Sequence, residues 1–296
     1  MHKRVPLTAF DLKKSFSPMA SLGFFVEHDK VPFDHKAKEF SFVNAWWMAD
    51  FSRLAYVRKP ALVRKELKAA GFTKTKFIEN KKTGTQVLIA HNTKSFIVSF
   101  RGTELVGDFQ DVMIDVDFFL VDSKTKGKVH HGFQKALDSV WDDIKAYLDK
   151  NHKKQSIWFT GHSLGAALAT IASARYKVNG TYTFGSPRVG NKKFLNTIKS
   201  PVYRMAKSRD IVTRVPPPII YKHTGDVYFI GGEGDVSKNP NMLFRFKERL
   251  GGTEIKILWL IITLIIFNSP MELLLSYLHD HSPYNYSVYM WNNIDA

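Results

Sequence analysis

The sequence predicts an α/β protein with a mostly parallel central sheet covered by helices on both faces. Short β-rich runs alternate with helical patterns through the middle of the chain, as strands joined by crossover helices do. At 296 residues the chain can bury one full-sized core, and a single large domain is the expectation. Its 44% hydrophobic and 24% charged residues are those of an ordinary globular protein and exclude a disordered one. The 23 Phe suit an aromatic-rich core and also a deep apolar pocket.

Taken in order, residues 40–57 carry apolar side chains at mixed helical spacing (Phe42, Ala45, Trp46, Met48, Ala49, Leu54) and predict a helix. Residues 1–39 precede it as an N-terminal extension packed on the main domain, 40–296. Gln86–Ala90 and Ser95–Phe100 read as neighbouring strands. Phe133–Leu148 has the three- and four-residue spacing of a helix. Ser156–Thr160 reads as a buried strand and the Ala-rich Leu164–Tyr176 as the helix after it. Thr181–Phe184, Val202–Ala206 and Val227–Ile230 complete the strands. Ser269-Pro270-Met271-Glu272 is a capping box that starts a helix ending near His279-Asp280-His281.

The formal charge of +16 favours anionic partners, either nucleic acid or the negative face of a membrane. Nine Lys or Arg against two Glu fall between Arg58 and Gly84, which a solvated basic helix and turn would also explain. No helix-turn-helix, zinc or aromatic RNA-binding signature accompanies the charge, so no specific nucleic acid is expected. With no cysteine there is neither disulfide nor thiolate metal site. No His or carboxylate pair has metal-ligand spacing on a plausible helix, and neither metal nor other cofactor is expected. No signal-length apolar run follows Met-His-Lys-Arg, which predicts a cytoplasmic protein or one exported without a cleaved signal peptide. The apolar run Ile257–Phe267 would reach ~16 Å as a helix, about half of the ~30 Å a bilayer core needs. It therefore does not span, and buried strand, core helix and interfacial segment all remain open.

The chemistry centres on Gly161-His162-Ser163-Leu164-Gly165, a G-x-S-x-G pentapeptide. Such a pattern arises by chance in about one chain in ten of this length, so its setting matters. It stands between a β-type run and an Ala-rich helix, as a nucleophile elbow must. The sharp turn strains the backbone at Ser163 and demands small neighbours, which the two glycines supply. It also puts the Leu164 N–H at a helix N-terminus, where it can stabilise a developing oxyanion.

Several stretches in the right order resemble the class 3 lipases, the family of the filamentous-fungal triacylglycerol lipases and their bacterial relatives. They are Val98–Glu104, His131-Gly132-Phe133, Thr160–Ala169, Thr183–Asn191 and Asp210–Pro217. The resemblance spans about Phe40–Tyr284, is weak before Phe40, and fades across an apolar insertion at about 235–276. It implies an α/β-hydrolase fold and a Ser-Asp-His triad in that chain order. Ser163 is then the nucleophile and Asp210 the acid, with Asp226 and Asp235 as substitutes that match no motif. His281, which opens His281-Ser282-Pro283-Tyr284, is the base, and His279 is its rival. The residue after Phe100-Arg101-Gly102, Thr103, gives the second oxyanion N–H. His130, His131, His162 and His223 are left with structural hydrogen bonding.

The implied activity is lipid-ester hydrolysis, on triacylglycerol or phospholipid, through an acyl-enzyme. In the family a lid follows the Phe-Arg-Gly loop; here Glu104–Asp117 fits a mobile amphipathic flap or an ordinary surface helix. The positive charge and the apolar insertion together predict peripheral docking on an anionic membrane surface.

Overall fold

A computed structural model describes residues 4–7, 23–102, 119–250 and 279–295. Thr103, the 104–117 segment, the 257–267 run and the 269–272 capping box lie outside the described residues. The predicted helix at 40–57 is α1 (Phe42–Leu54), started by Ser41, whose hydroxyl accepts the Asn44 N–H, as N-cap serines do. Next comes α2 (Pro60–Ala69), with Pro60 at a first-turn position where its missing N–H costs nothing.

Beyond the helix and turn that would explain the basic segment, it also holds a strand. Lys74–Asn80 forms strand β1, antiparallel to β2 (Thr85–His91). Phe77 packs against the core cluster and Ile78 is buried, while Lys74 and Lys76 stay exposed. β1 is the edge of the sheet, and exposed lysines there discourage pairing with another chain. Lys74 and Lys76 thus guard an edge strand.

β3 (Ser95–Phe100) pairs antiparallel with β2 and parallel with β6 (Ser156–His162). Between them lie a small antiparallel pair, β4 (Leu120–Asp122) and β5 (Lys128–His130), and the long helix α3 (His131–Asn151). From β6 the chain turns into α4 (Leu164–Ser173), then β7 (Gly180–Phe184), the short α5 (Lys192–Leu195) and β8 (Val202–Lys207). β9 (Asp226–Ile230) and β10 (Val236–Lys238) follow, then α6 (Met242–Leu250) and the C-terminal α7 (Pro283–Asn292). Among the described residues the main sheet has eight strands in the order β1-β2-β3-β6-β7-β8-β9-β10, and β3 through β9 run parallel.

The period-two alternation of the strands divides the core between the two faces. Along β6, Ile157 and Phe159 join Phe96, Val98 and Phe100 of β3 under α3 and α4, which contribute Ile144 and Leu168. Trp158 faces the other way, with Tyr182, Tyr203 and Tyr228, under α1 and α7. There Trp46 packs on Trp291 with ring centroids 4.8 Å apart. Thr160 bonds Ser52 of α1 at 2.9 Å, fixing that helix against the strand that carries the pentapeptide. The chain before α1 is held by a buried ion pair inside it. Asp50 and Arg53 lie 3.2 Å apart; Asp50 also takes the Phe25 N–H, and Arg53 donates to the Gly23 carbonyl. This is an α/β-hydrolase fold, a mostly parallel sheet with helices on both faces. Among the described residues no helix is long and apolar enough to cross a membrane.

Candidate active site

The C-terminal ends of β3, β6, β7 and β8 converge, the place where parallel sheets collect functional groups. β6 ends at His162, and Ser163 follows with φ 59° and ψ −128° before α4 begins. A non-glycine residue there costs of order 1–3 kcal/mol and persists only where the surroundings hold it. They do: the Ser163 N–H donates to the Phe184 carbonyl of β7 at 2.9 Å, and the Ser163 carbonyl accepts from Ala166 at 3.0 Å. The start of α4 is pressed so closely on β3 that a Cβ at Gly165 would lie 2.0 Å from the Phe100 carbonyl oxygen. Gly165→Ala is therefore expected to cost about 3 kcal/mol or more, because a backbone clash leaves no side chain to yield. A thermal midpoint equal to that of the wild type would contradict this packing.

Leu164 is the first residue of α4, so its N–H is among those without an intrahelical acceptor. The other predicted donor, Thr103, lies outside the described residues. Gly102, just before it, lies against the Tyr56 hydroxyl, which bonds His162 Nδ1 at 2.9 Å.

Asp210 and His281, 71 residues apart in sequence, meet in the interior: His281 Nδ1–H donates to Asp210 Oδ2 at 2.8 Å, and both side chains are fully buried. That carboxylate is fixed from three sides. Its other oxygen takes the Val212 N–H at 2.9 Å, and the Tyr286 hydroxyl donates to Oδ2 at 2.7 Å. Burial, reinforced by the Asp210 charge, pushes the Tyr286 hydroxyl well above its ordinary value, so it remains a donor. With Nδ1–H committed to Asp210, neutral His281 has its lone pair on Nε2.

Two links tie this pair to Ser163. Gly185, next to the Phe184 carbonyl that holds Ser163, has φ 59°, and a Cβ on it would fall 2.7 Å from His281 Cε1 and 2.8 Å from Asp210 Oδ2. Only glycine serves at that position on both counts. His162, the residue before Ser163, stacks near the His281 ring at 4.4 Å and donates Nε2–H to the His281 carbonyl at 2.7 Å. A carbonyl only accepts, so His162 carries its proton on Nε2 and accepts from Tyr56 on Nδ1. It is a neutral strut between the elbow and the His281 backbone.

The rivals sit elsewhere. His279 is bonded through Nε2 to Asn285 at 3.3 Å. Asp226 forms an exposed ion pair with Lys238 at 3.1 Å, and Asp235 supports the Gly231 turn through its carbonyl. His130 accepts the Phe133 N–H at the start of α3, and His223 donates to the Thr213 carbonyl at 2.8 Å. His131, at the first position of α3, has an exposed side chain. Two residues here escaped sequence reasoning, Tyr56 and Tyr286. Tyr284, the tyrosine of the His-x-x-Tyr pattern, is buried with its ring 5.5 Å from the Arg53 guanidinium. Among the described residues no group of His, Asp or Glu could hold a metal ion.

His162 and His223 are both held well below the ordinary 6.5, chiefly by burial, and then by His281 and Arg204 respectively. Each is neutral when folded and takes up a proton when unfolded below pH 6.5, so its contribution is full above 6.5 and lost as pH falls. Between about pH 7.5 and 5.5 each should cost up to about 1.4 kcal/mol. Buried Asp50, with a raised pKa, acts in the opposite direction at acidic pH. Comparing His223→Gln with wild type by denaturant melts at both pH values isolates the histidine. The variant should lose less stability on acidification, and parallel profiles would contradict the assignment.

Comparison with known proteins completes the picture. The family described as Lipase (class 3) matches residues 97–219, a span that holds Ser163 and Asp210 and stops short of His281. Over those residues the chain resembles the class 3 lipases. Its structure resembles that of lipase II from Rhizopus niveus, with a TM-score of 0.57 and 25% identity over 68% of this chain and 84% of that one. In sequence it is 38% identical over 115 residues to "Secreted mono- and diacylglycerol lipase 1" of Fusarium solani, covering 35% of this chain and 34% of that protein. It is also 38% identical over 119 residues to "Phospholipase A1-II 1" of Oryza sativa subsp. indica, covering 36% of this chain and 29% of that protein. The chain thus spans about a third of the length of these two relatives. The insertion at about 235–276 lies beyond the matched residues, and its described portion holds β10 and α6.

Proposed function

We propose that this protein is a serine carboxylester hydrolase acting on lipid esters, with Ser163 as nucleophile, His281 as base and Asp210 as orienting acid. The observation that carries the reading is the buried His281–Asp210 pair at 2.8 Å beside a serine in a strained strand-to-helix turn. His281 Nε2 takes the proton as Ser163 Oγ attacks the acyl carbon, and the oxyanion is met by the Leu164 N–H and that of Thr103. Collapse releases the alcohol, which leaves with the proton from His281. Water, deprotonated by the same nitrogen, then adds to the acyl-enzyme and frees the fatty acid and Ser163. Asp210 keeps its charge throughout and stabilises the imidazolium. The relatives named as acylglycerol lipase and phospholipase A1 support a lipid ester as substrate. The net charge of +16 supports peripheral association with an anionic membrane surface.

Fatty-acid release should be followed for wild type and Ser163→Ala on a triacylglycerol emulsion and on anionic phospholipid vesicles. Release that requires Ser163 is expected, and the faster substrate assigns lipase or phospholipase. No Ser163-dependent release from either would leave an inactive lipase-like module that binds membranes.

A further inference from the structure

A guanidinium taken out of water without a counter-charge is costly, and several together mark a place built for an anion. Arg204 of β8 is buried, and its Nε has no hydrogen-bond acceptor. Two half-buried arginines, Arg188 and Arg245, stand near it, and a third, Arg249, stands near those two. Arg188 follows β7 and is anchored through Nη1 to the carbonyls of Arg214 and, at 2.7 Å, Pro216. Arg245 and Arg249 lie one turn apart on α6; Arg245 Nε donates to the Pro240 carbonyl at 2.8 Å, and Arg249 Nε is buried without an acceptor. Among the described residues none of the four is paired with a carboxylate.

They are close enough to repel one another. Burial first, then Arg245 and Arg188, hold the Arg204 guanidinium down to about 9. Arg249 is likewise lowered by burial and then by Arg214, Arg245 and Arg188. The small space beside Arg204, lined also by Lys222 and His223, is about 10 Å³, enough for one water. An anion therefore belongs on the outer side, where Arg188, Arg245 and Arg249 reach solvent.

The two segments that supply or anchor these cations also expose apolar side chains. Ile219 and Ile220, just past the Pro216 carbonyl, are 85% and 57% exposed, and on α6 Met242, Leu243 and Phe246 are 85%, 62% and 54% exposed. A free phosphate needs no such rim, and the rim is mostly aliphatic rather than the aromatic platform of a nucleic-acid groove. We propose that this arginine cluster is a phosphate site for the headgroup of an anionic lipid, with Ile219, Met242, Leu243 and Phe246 entering the interface around it. Guanidinium forks match phosphate oxygens in pairs, and cations beside inserted apolar residues are how a peripheral protein grips a charged bilayer. The inference rests on the proposed function only in taking lipid as the source of the phosphate.

The test uses Ser163→Ala protein, so no lipid is consumed and the result stands whether or not the hydrolase reading does. Sedimentation is measured with vesicles of phosphatidylcholine alone and of phosphatidylcholine with phosphatidic acid. Strong binding is expected only to the latter. Adding Arg245→Gln and Arg249→Gln should weaken it about 30-fold, at roughly fivefold per cation near an anionic surface. Arg245→Lys with Arg249→Lys, which keeps charge, should retain more. A thermal melt confirms that each variant is folded. Equal binding by the Gln pair would overturn the site. Arginine-dependent binding of inorganic phosphate with no preference for phosphatidic acid vesicles would overturn the lipid as its source.

Discussion

Ser163→Ala should lower ester turnover by about 10⁶, close to the full contribution of a triad that acts as a unit. The variant loses the atom that attacks, so His281 has no proton to take and Asp210 nothing to orient. Residual catalysis, about 10³–10⁴ over water, would come from the Leu164 N–H and from substrate binding alone. The fold should survive. The hydroxyl is not the cap of α4, and the turn is held by the Ser163 N–H on Phe184 and by packing around Gly165, both untouched by alanine. Hydrolysis of a soluble short-chain ester, with circular dichroism on the same samples, checks both halves. A folded variant retaining a tenth of wild-type turnover would remove Ser163 from the chemistry.

Asp210→Asn should follow at about 10⁴ in kcat with little change in KM. The amide is nearly isosteric and can still accept the Val212 N–H. It would then turn its NH₂ toward His281 and Tyr286, which both now donate to Oδ2. Two donors would face a donor, and His281 would relieve the clash by moving its proton to Nε2. The ring would then offer Ser163 a hydrogen and no base. Kinetics on the same soluble ester separate this from a folding defect. A loss in KM alone, or a loss below tenfold in kcat, would make Asp210 a structural residue.

The parallel strands and the elbow were legible because they are written locally. Ser156–Thr160 is apolar enough to be buried on both faces, and the glycines at 161 and 165 sit where the backbone leaves room for nothing else. β1 was not, since five of its seven residues are polar or charged on a strand that is the sheet's edge. Asp210 and His281 came from resemblance to a family. No local pattern announces that residues 71 apart will share a hydrogen bond. Choosing between His279 and His281 needed the start of α7, where Ser282 caps Asn285 and the two histidines are sent to different partners. Tyr56 and Tyr286 were illegible for another reason. In a chain with 23 Phe and 11 Tyr, one more aromatic reads as core, and only the placement of its hydroxyl shows otherwise. The arginine cluster was hidden in the overall charge, since Arg188, Arg204, Arg245 and Arg249 are scattered along the sequence, on the segment after β7, on β8 and on α6.

The most direct test of the triad is covalent trapping with a fluorophosphonate bearing an alkyl chain, which phosphonylates a serine only when a neighbouring base activates it. Intact-mass and peptide analysis should find one adduct, on the peptide containing Gly161-His162-Ser163, lost in Ser163→Ala and strongly slowed in His281→Ala. An adduct on another serine, or lipid-ester hydrolysis that continues in the absence of any adduct at Ser163, would contradict the account.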